Sequence, residues 1–339
     1  MKSVILLLLA VGTASTCLGQ NRREQMKAKV DSMVKAKYVK VDSVLTARYN
    51  KVTYDTNYIG RPDTRLTLKL RANISGSHFD VHRRVNGAEG SGHLSNAHKA
   101  TLSIGANYRG ITAGLALNPG SLSGRNKDYE LNVNAYTNRY GIDVIYLNSR
   151  TLSGPVSFNG RDVYLEQGMA DMKMLIIDAY YAFNGRRFSY PAAFTQSYIQ
   201  KRSAGSWLVG LSYLGGRIMN SDEKFPNALE LRIYTGHFGI GGGYGYNFVI
   251  GRHLLVHVSA LPTLVIANRN NITVNGVRRD MDTKFPDFIL TERASVVYHF
   301  NKKYFAGATF VMTNSLLGDK SIDINYKKWR VRAFLGIRL

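Results

Sequence analysis

From Trp329 to Leu339 the chain alternates without a break: Trp329, Val331, Ala333, Leu335, Ile337 and Leu339 fall on one face, with Arg330, Arg332, Gly336 and Arg338 on the other. Side chains of a β-strand project to opposite faces with period two, so this is a strand with one apolar face that continues to the last residue. Such a strand needs a sheet to receive it. The closing strand of an outer-membrane β-barrel has this pattern, apolar toward lipid and polar toward the lumen.

The same period recurs upstream. Leu66, Leu68, Leu70, Ala72 and Ile74 alternate with Thr67, Lys69, Arg71 and Asn73. Further strands are predicted at 99–108, 111–117, 129–137, 140–147, 172–183, 206–214, 236–248, 253–266, 288–300 and 304–313. With the terminal strand this makes about twelve, with ten or fourteen as alternatives. Joins between them alternate in length. Tight ones fall at 109–110, 138–139, 251–252 and 301–303. Long ones fall at 75–98, 118–128, 148–171, 215–235, 267–287 and 314–325. Short periplasmic turns and long outer loops are what a transmembrane barrel requires.

One join breaks that rule. Residues 184–205 lie on the short-turn side and form an insert of about twenty residues, where Pro191 opens a predicted short helix through Lys201. This insert reads as a lumen plug or a platform under the barrel.

The first residues are expected to be a cleavable signal peptide, 1–19, because the apolar run from Val4 to Val11 is too short to span a bilayer as a helix. Cys17 is the only cysteine. It excludes an intramolecular disulfide and leaves lipoprotein acylation as an alternative processing route. Residues 20–60 form a predicted basic periplasmic leader. Met26, Val30, Met33, Val34, Val41, Val44 and Leu45 recur there at spacings of three and four, the sign of an amphipathic helix. The barrel proper is placed at 61–339.

The segments YDTNYIGRPDTRLTLKLRANISG and FNGRRFSYPAAFTQSYIQKRSAGS are similar to those of a family of exported proteins of Bacteroides-type bacteria described as a domain of unknown function. That resemblance implies a Gram-negative outer-membrane barrel and brings no activity with it. Leu339 departs from the aromatic residue that commonly ends a barrel-assembly signal.

A formal charge of +22 implies anionic company. For an exported chain this means outer-membrane lipid, lipopolysaccharide or anionic solutes. No nucleic-acid motif is present, and the barrel-assembly machinery is the expected folding partner. Lys69, Arg71, Lys173, Arg293, Arg330, Arg332 and Arg338 are the candidate anion-binding residues of a porin-like lumen, where rings of charge select ions. Their bland reading is pairing with inward Glu130, Asp143, Asp178 and Glu292. Arg186, Arg187, Lys201 and Arg202 bracket the insert and could serve its gating, by holding a phosphate or carboxylate or by fixing the insert to the wall.

Enzymatic activity is not expected. The sharpest catalytic candidate is His257 with Ser259, two residues apart on one strand face, as in a His-x-Ser lipid hydrolase. His93-Leu94-Ser95 repeats the spacing in a predicted loop, which weakens it. Parity also turns His257 and Ser259 away from Leu254, Val256 and Val258, toward the lumen. No cofactor and no metal site are expected. Asp319, Asp323 and Asn325 read as a hydrated loop, and the run Gly239–Gly245 leads into a strand rather than the helix a phosphate cradle needs.

Overall fold

The computed structural model describes residues 25–29, 31–33, 39, 42–44, 46–47, 50–64, 66–85, 88–108, 111–117, 128–220, 231–280, 286–318 and 322–339. The expected signal peptide at 1–19, Cys17, Asp319 and the joins at 109–110 and 118–127 lie outside these residues. Two units separate at Val52/Thr53. Within the first, the described residues up to Asn50 carry helical backbone, and Met26, Met33 and Val44 are exposed.

The second unit is built on an antiparallel meander. Its long strands are β1 (Leu66–Val85), β2 (Lys99–Tyr108), β3 (Ile111–Leu117), β4 (Tyr129–Tyr136), β5 (Tyr140–Ser149) and β6 (Ala170–Ala182). They continue with β7 (Ala204–Asn220), β8 (Leu231–Ile250), β9 (Leu254–Asn268), β10 (Phe288–His299), β11 (Tyr304–Gly318) and β12 (Ile322–Arg338). Among the described residues, pairing joins β3 to β2, β2 to β1 and β1 to β12. It then runs back through β11, β10, β9, β8, β7, β6 and β5 to β4. The start of β1 meets the residue after β12 where Leu66 and Leu339 exchange backbone hydrogen bonds of 3.2 and 2.8 Å. The sheet curls back on itself: Glu130 of β4 accepts hydrogen bonds from Ser75 of β1 at 3.1 Å and Lys328 of β12 at 2.8 Å.

Alternation sorts the two faces as the sequence requires. Leu70, Ile74, Leu102, Ile104, Val209, Leu211, Ile240, Val258, Val296, Val331 and Leu335 are exposed on the outside. Thr67, Lys69, Ser75, Asp143, Asp178, His257, Thr291, Arg293, Lys328, Arg330 and Arg338 are buried inside. This is the reverse of a water-soluble sheet, which hides its apolar face.

Not all of the interior is polar. Phe79, Ile145, Leu147, Met172, Met174, Ile176, Leu214, Val265, Ile289 and Tyr326 form one apolar cluster inside the curl, toward the end remote from Leu66 and Leu339. Several segments expected as loops are strands that extend this end. Ala88–Ser95 returns along β1, Gly154–Phe158 and Arg161–Leu165 form a hairpin, and so do Asn271–Val274 and Val277–Asp280. Their strands are only four to eight residues long, too short for the period-two signal to stand out although the ladder continues.

Two expected inward residues point outward. Lys173 lies five positions from inward Asp178 on β6, and Glu292 lies next to inward Arg293 on β10. Odd separations on a strand place side chains on opposite faces. Both strands alternate accordingly, with Met172, Met174, Thr291 and Arg293 buried.

Close approach of ring to wall depends on glycine at position 141, where a Cβ would stand 2.3 Å from the Tyr180 ring. Gly141→Val is expected to destabilise the fold by about 1–3 kcal/mol. Gly242→Ala, whose Cβ meets only a carbonyl at 3.5 Å, should shift the denaturant midpoint little.

Candidate functional site

The insert enters the curl. Ser189, in extended backbone, caps a five-residue helix α1 (Tyr190–Phe194) by accepting from the Ala192 amide at 3.2 Å, and Pro191 occupies the first turn. The predicted helix to Lys201 is cut short because Gln196 adopts φ +53° and its side-chain amide returns to Ala193 O at 2.8 Å. Ile199–Gln200 then pairs with Ile59–Gly60, so the segment before β1 packs with the insert.

α1 is a plug made of rings. Tyr190, Phe188, Ala192 and Ala193 are fully buried. Tyr190 lies 4.4 Å from Tyr180 and 4.8 Å from His257. Phe194 packs on Tyr136 and His257 at 5.8 and 5.2 Å.

His257 is fully buried, and the structure supplies the partner that sequence proximity could not. Its Nδ1 lies 2.7 Å from Asn247 Oδ1 and its Nε2 3.0 Å from Ser259 Oγ. Asn247 and His257 are register partners on β8 and β9. An amide oxygen beside Nδ1 makes that nitrogen the donor, leaving Nε2 to accept from Ser259. The arrangement has the order of a Ser-His-Asn relay, roofed by Tyr190 and Phe188. Asn247 Nδ2 continues the chain, donating to Ser189 O at 3.0 Å and Gln200 Oε1 at 2.9 Å. These bonds fasten the plug to the wall.

The bracketing cations hold the segment before β1. Arg187 Nε stands 3.5 Å from Asp55 Oδ2, and its guanidinium lies 5.0 Å from the Tyr58 ring. Arg202 approaches the same ring at 5.9 Å. Lys201 Nζ donates to Thr56 O at 3.0 Å, while Arg186 takes part through its carbonyl, which accepts from the Asp55 amide at 2.8 Å. Arg61 donates to Tyr198 Oη at 2.7 Å, beside Tyr54. Burial raises the Tyr54 phenol pKa, with the Arg61 charge opposing. These cations therefore act through the insert's own attachments.

Above the plug lies a charged layer. Arg293 donates to Asp143 Oδ2 at 2.9 Å from β10 to β5, with both groups buried. Tyr136 donates to the other Asp143 oxygen. Asp178 accepts from Ser212 at 2.7 Å and Thr291 at 3.0 Å. Glu130 takes Lys328, an inward lysine not singled out from sequence, although parity with Arg330 places it there.

The remaining inward cations form a different group. Arg330 donates to Asn132 Oδ1 at 2.5 Å, Arg332 Nε to Asn73 Oδ1 at 2.6 Å, and Lys69 to Thr195 O and Gln196 Oε1. Arg71 lies against Gly105, where a Cβ would meet its guanidinium at 2.8 Å. Register places these residues side by side on the inner face of β1 and β12. No described carboxylate is within ion-pair distance of Lys69, Arg71, Arg330 or Arg332. Arg338, further down the same face, stacks on Phe305 at 4.7 Å. Among the described residues no group of acids, histidines or cysteines could hold a metal ion.

These features define an antiparallel meander curled around a plug, apolar outside and ion-paired within. The chain belongs to the family described as a domain of unknown function, DUF4421, whose model matches residues 53–338. No curated protein matches the chain. Among solved structures it is similar to the outer-membrane protease OmpT from Escherichia coli at 6% identity, with 86% of this chain and 100% of that one covered and a TM-score of 0.45. It is also similar to the translocator domain of autotransporter NalP from Neisseria meningitidis, at 12% identity, 91% and 98% coverage and a TM-score of 0.30. The outer membrane protein OprG from Pseudomonas aeruginosa matches at 11%, 81% and 97%, and 0.27.

The charged layer yields a test. Asp143→Ala, which leaves Arg293 buried and unpaired, should cost about 3–5 kcal/mol in denaturant unfolding of the refolded chain. Replacing both partners, as Asp143→Leu with Arg293→Met, should recover most of that loss.

Proposed function

We propose that this chain is an outer-membrane β-barrel of twelve strands, closed between β3 and β4, that binds an anionic solute inside and is shut at rest by the α1 plug. It would be exported by its signal peptide and inserted by the barrel-assembly machinery. Support for a membrane-spanning wall comes from its exposed Leu, Ile, Val and Phe side chains around a buried polar interior, the arrangement that lipid demands and water penalises.

The observation that carries the anion site is the set Lys69, Arg71, Arg330 and Arg332, close together on one inner face with only neutral groups in direct contact. Cations taken from water without counter-charge are costly. A carboxylate or phosphate between β1, β12 and the plug would neutralise them through charge-assisted hydrogen bonds. The apolar cluster, the Arg293–Asp143 layer and the plug fill the route past this site, so the lumen is read as occluded rather than as a standing pore. Lys69 ties the site to the plug through Thr195 and Gln196, which would let the anion and the plug position influence one another.

The same packing favours a second reading, a closed structural barrel that meets lipopolysaccharide or cell wall through its basic leader. That reading differs in requiring no interior anion. His257 and Ser259 are assigned to plug retention, since their exposed neighbour Val258, and not they, faces outward; His257→Gln should loosen the plug without altering any lipid cleavage.

In planar bilayers the intact chain should be silent, and removal of 186–202 should give anion-selective steps. Citrate or phosphate should raise the melting temperature of the refolded chain, and Arg71→Gln with Arg332→Gln should weaken that effect at least tenfold. Absence of both effects in the parent chain would leave the closed structural barrel, and their persistence in the variant would remove Arg71 and Arg332 from the site. Separately, Ile240→Arg on the outer face should cost about 2–4 kcal/mol in refolding into vesicles, whereas Val277→Arg in the hairpin should cost far less.

A further inference from the structure

The outer face carries a second basic site. A groove of about 820 Å³ opens where β5 to β8 approach their hairpin ends, and it includes Tyr146, Lys173, Tyr213, Arg217, Tyr234 and Arg269. Lys173 and Arg217 are direct register partners on β6 and β7, and Arg217 is in turn opposite Tyr234 on β8. Like charges directly across a ladder repel. Among the described residues no carboxylate pairs with Lys173, Arg217 or Arg269. Asp171, two positions along β6, is already held by Arg150 Nε at 2.9 Å, and Arg278 at the rim faces Asp280 at 3.4 Å. Glycines open the floor. The Tyr213 hydroxyl stands 2.4 Å from where a Gly215 Cβ would lie and 3.6 Å from that of Gly236, so the phenol points toward the cations.

Height identifies the occupant. Trp207 and Arg217 share the outward face of β7 ten residues apart, roughly 33 Å along the strand at ~3.3 Å per residue. At a tilt of about 40° this is ~25 Å along the barrel axis, the height of a lipid-facing apolar band. Val209, Leu211 and Ile240 occupy the interval. Trp207 with Tyr244, 5.1 Å apart, marks the lower rim, and Tyr213, Tyr234 and Tyr146 mark the upper. The cations therefore sit where headgroup phosphates lie, directly above an apolar track that includes Leu175 and Phe238.

We infer that this groove binds a lipid of the outer leaflet through its phosphorylated headgroup. Lys173, Arg217 and Arg269 take the phosphate oxygens, Tyr213 donates a hydrogen bond, and an acyl chain lies along Leu175 and Phe238. The inference rests on the membrane-spanning reading of the wall and is independent of the interior site.

The test begins with the full chain refolded into phosphatidylcholine vesicles, then in neutral detergent with diphosphorylated lipid A, dephosphorylated lipid A or inorganic phosphate, following thermal unfolding. With the interior anion site silenced by Arg71→Gln and Arg332→Gln in every chain tested, the expected result is a rise in melting temperature with diphosphorylated lipid A alone. Binding should weaken at least tenfold in Lys173→Gln with Arg217→Gln, and in Gly236→Leu, which fills the floor without changing charge; Arg252→Gln, in a distant turn, should match the parent. Equal binding by all variants, or an equal rise with inorganic phosphate, overturns the lipid site. Failure of every variant to enter vesicles overturns the membrane reading as well, whereas insertion with indifference to lipid A removes the groove alone.

Discussion

The contact between Arg293 and Asp143 spans five places in the strand run, from β10 to β5, and sets how wide the interior can be. Two buried charges offset their desolvation by meeting directly and by further hydrogen bonds, which here gather on the carboxylate side, Arg293 Nε and Nη1 having no acceptor among the described residues. Tyr136 completes Asp143, and Ser212 and Thr291 complete the neighbouring Asp178. Opposite walls are thus held within reach of two side chains. Above this layer the space is narrow enough for Met172, Met174 and Ile176 to meet Ile145, Ile289 and Tyr326. Below it, the Tyr180 ring offers a flat base on which Tyr190 settles, and the plug follows.

The wall was legible because alternation is a property of neighbouring residues in the chain. Each of the long strands has several apolar positions at period two, and the connections at 138–139, 251–253 and 301–303 carry turn residues. Where both faces are apolar, as along Met172 to Ile177, the period disappears and face assignment rests on counting from a polar residue. Lys173 shows what a miscount does. The strand at 88–95 and the hairpins at 154–165 and 271–280 were harder to read for a different reason: their strands hold only four to eight residues, too few to establish a period, although Asn159-Gly160 and Asn275-Gly276, with positive φ at both positions of each turn, mark the two hairpins.

The site was legible only in part. His257 and Ser259 are visible as a pair because they share a strand. Asn247, which orients the imidazole, is a register partner on the next strand, and register is a property of the fold rather than of the local sequence. The plug's start is written in Ser189 and Pro191, but its end depends on Gln196 turning back onto Ala193 O. Its docking depends on Thr53–Gly60, a segment whose role becomes apparent only when Ile59 meets Gln200.

Charge ties the two proposed sites together. The chain has 45 lysines and arginines against 23 acidic residues, and the buried carboxylates are engaged: Glu130 with Lys328, Asp143 with Arg293, Asp178 with hydroxyls. Excess base must therefore face either water, lipid or an anion. The electrostatic setting differs between the two places where it collects. A pair of unit charges 4 Å apart is worth about 1 kcal/mol in water and about 4 kcal/mol at an effective dielectric constant near 20. An anion beside Arg71 and Arg332 would be enclosed by protein and shielded from salt, and its release would require the plug to move. One beside Lys173 and Arg217 would lie at the membrane surface within reach of mobile ions, so its retention would depend on the acyl chain below it. The first site suits a solute held until a conformational change, the second a lipid in exchange with the leaflet around it.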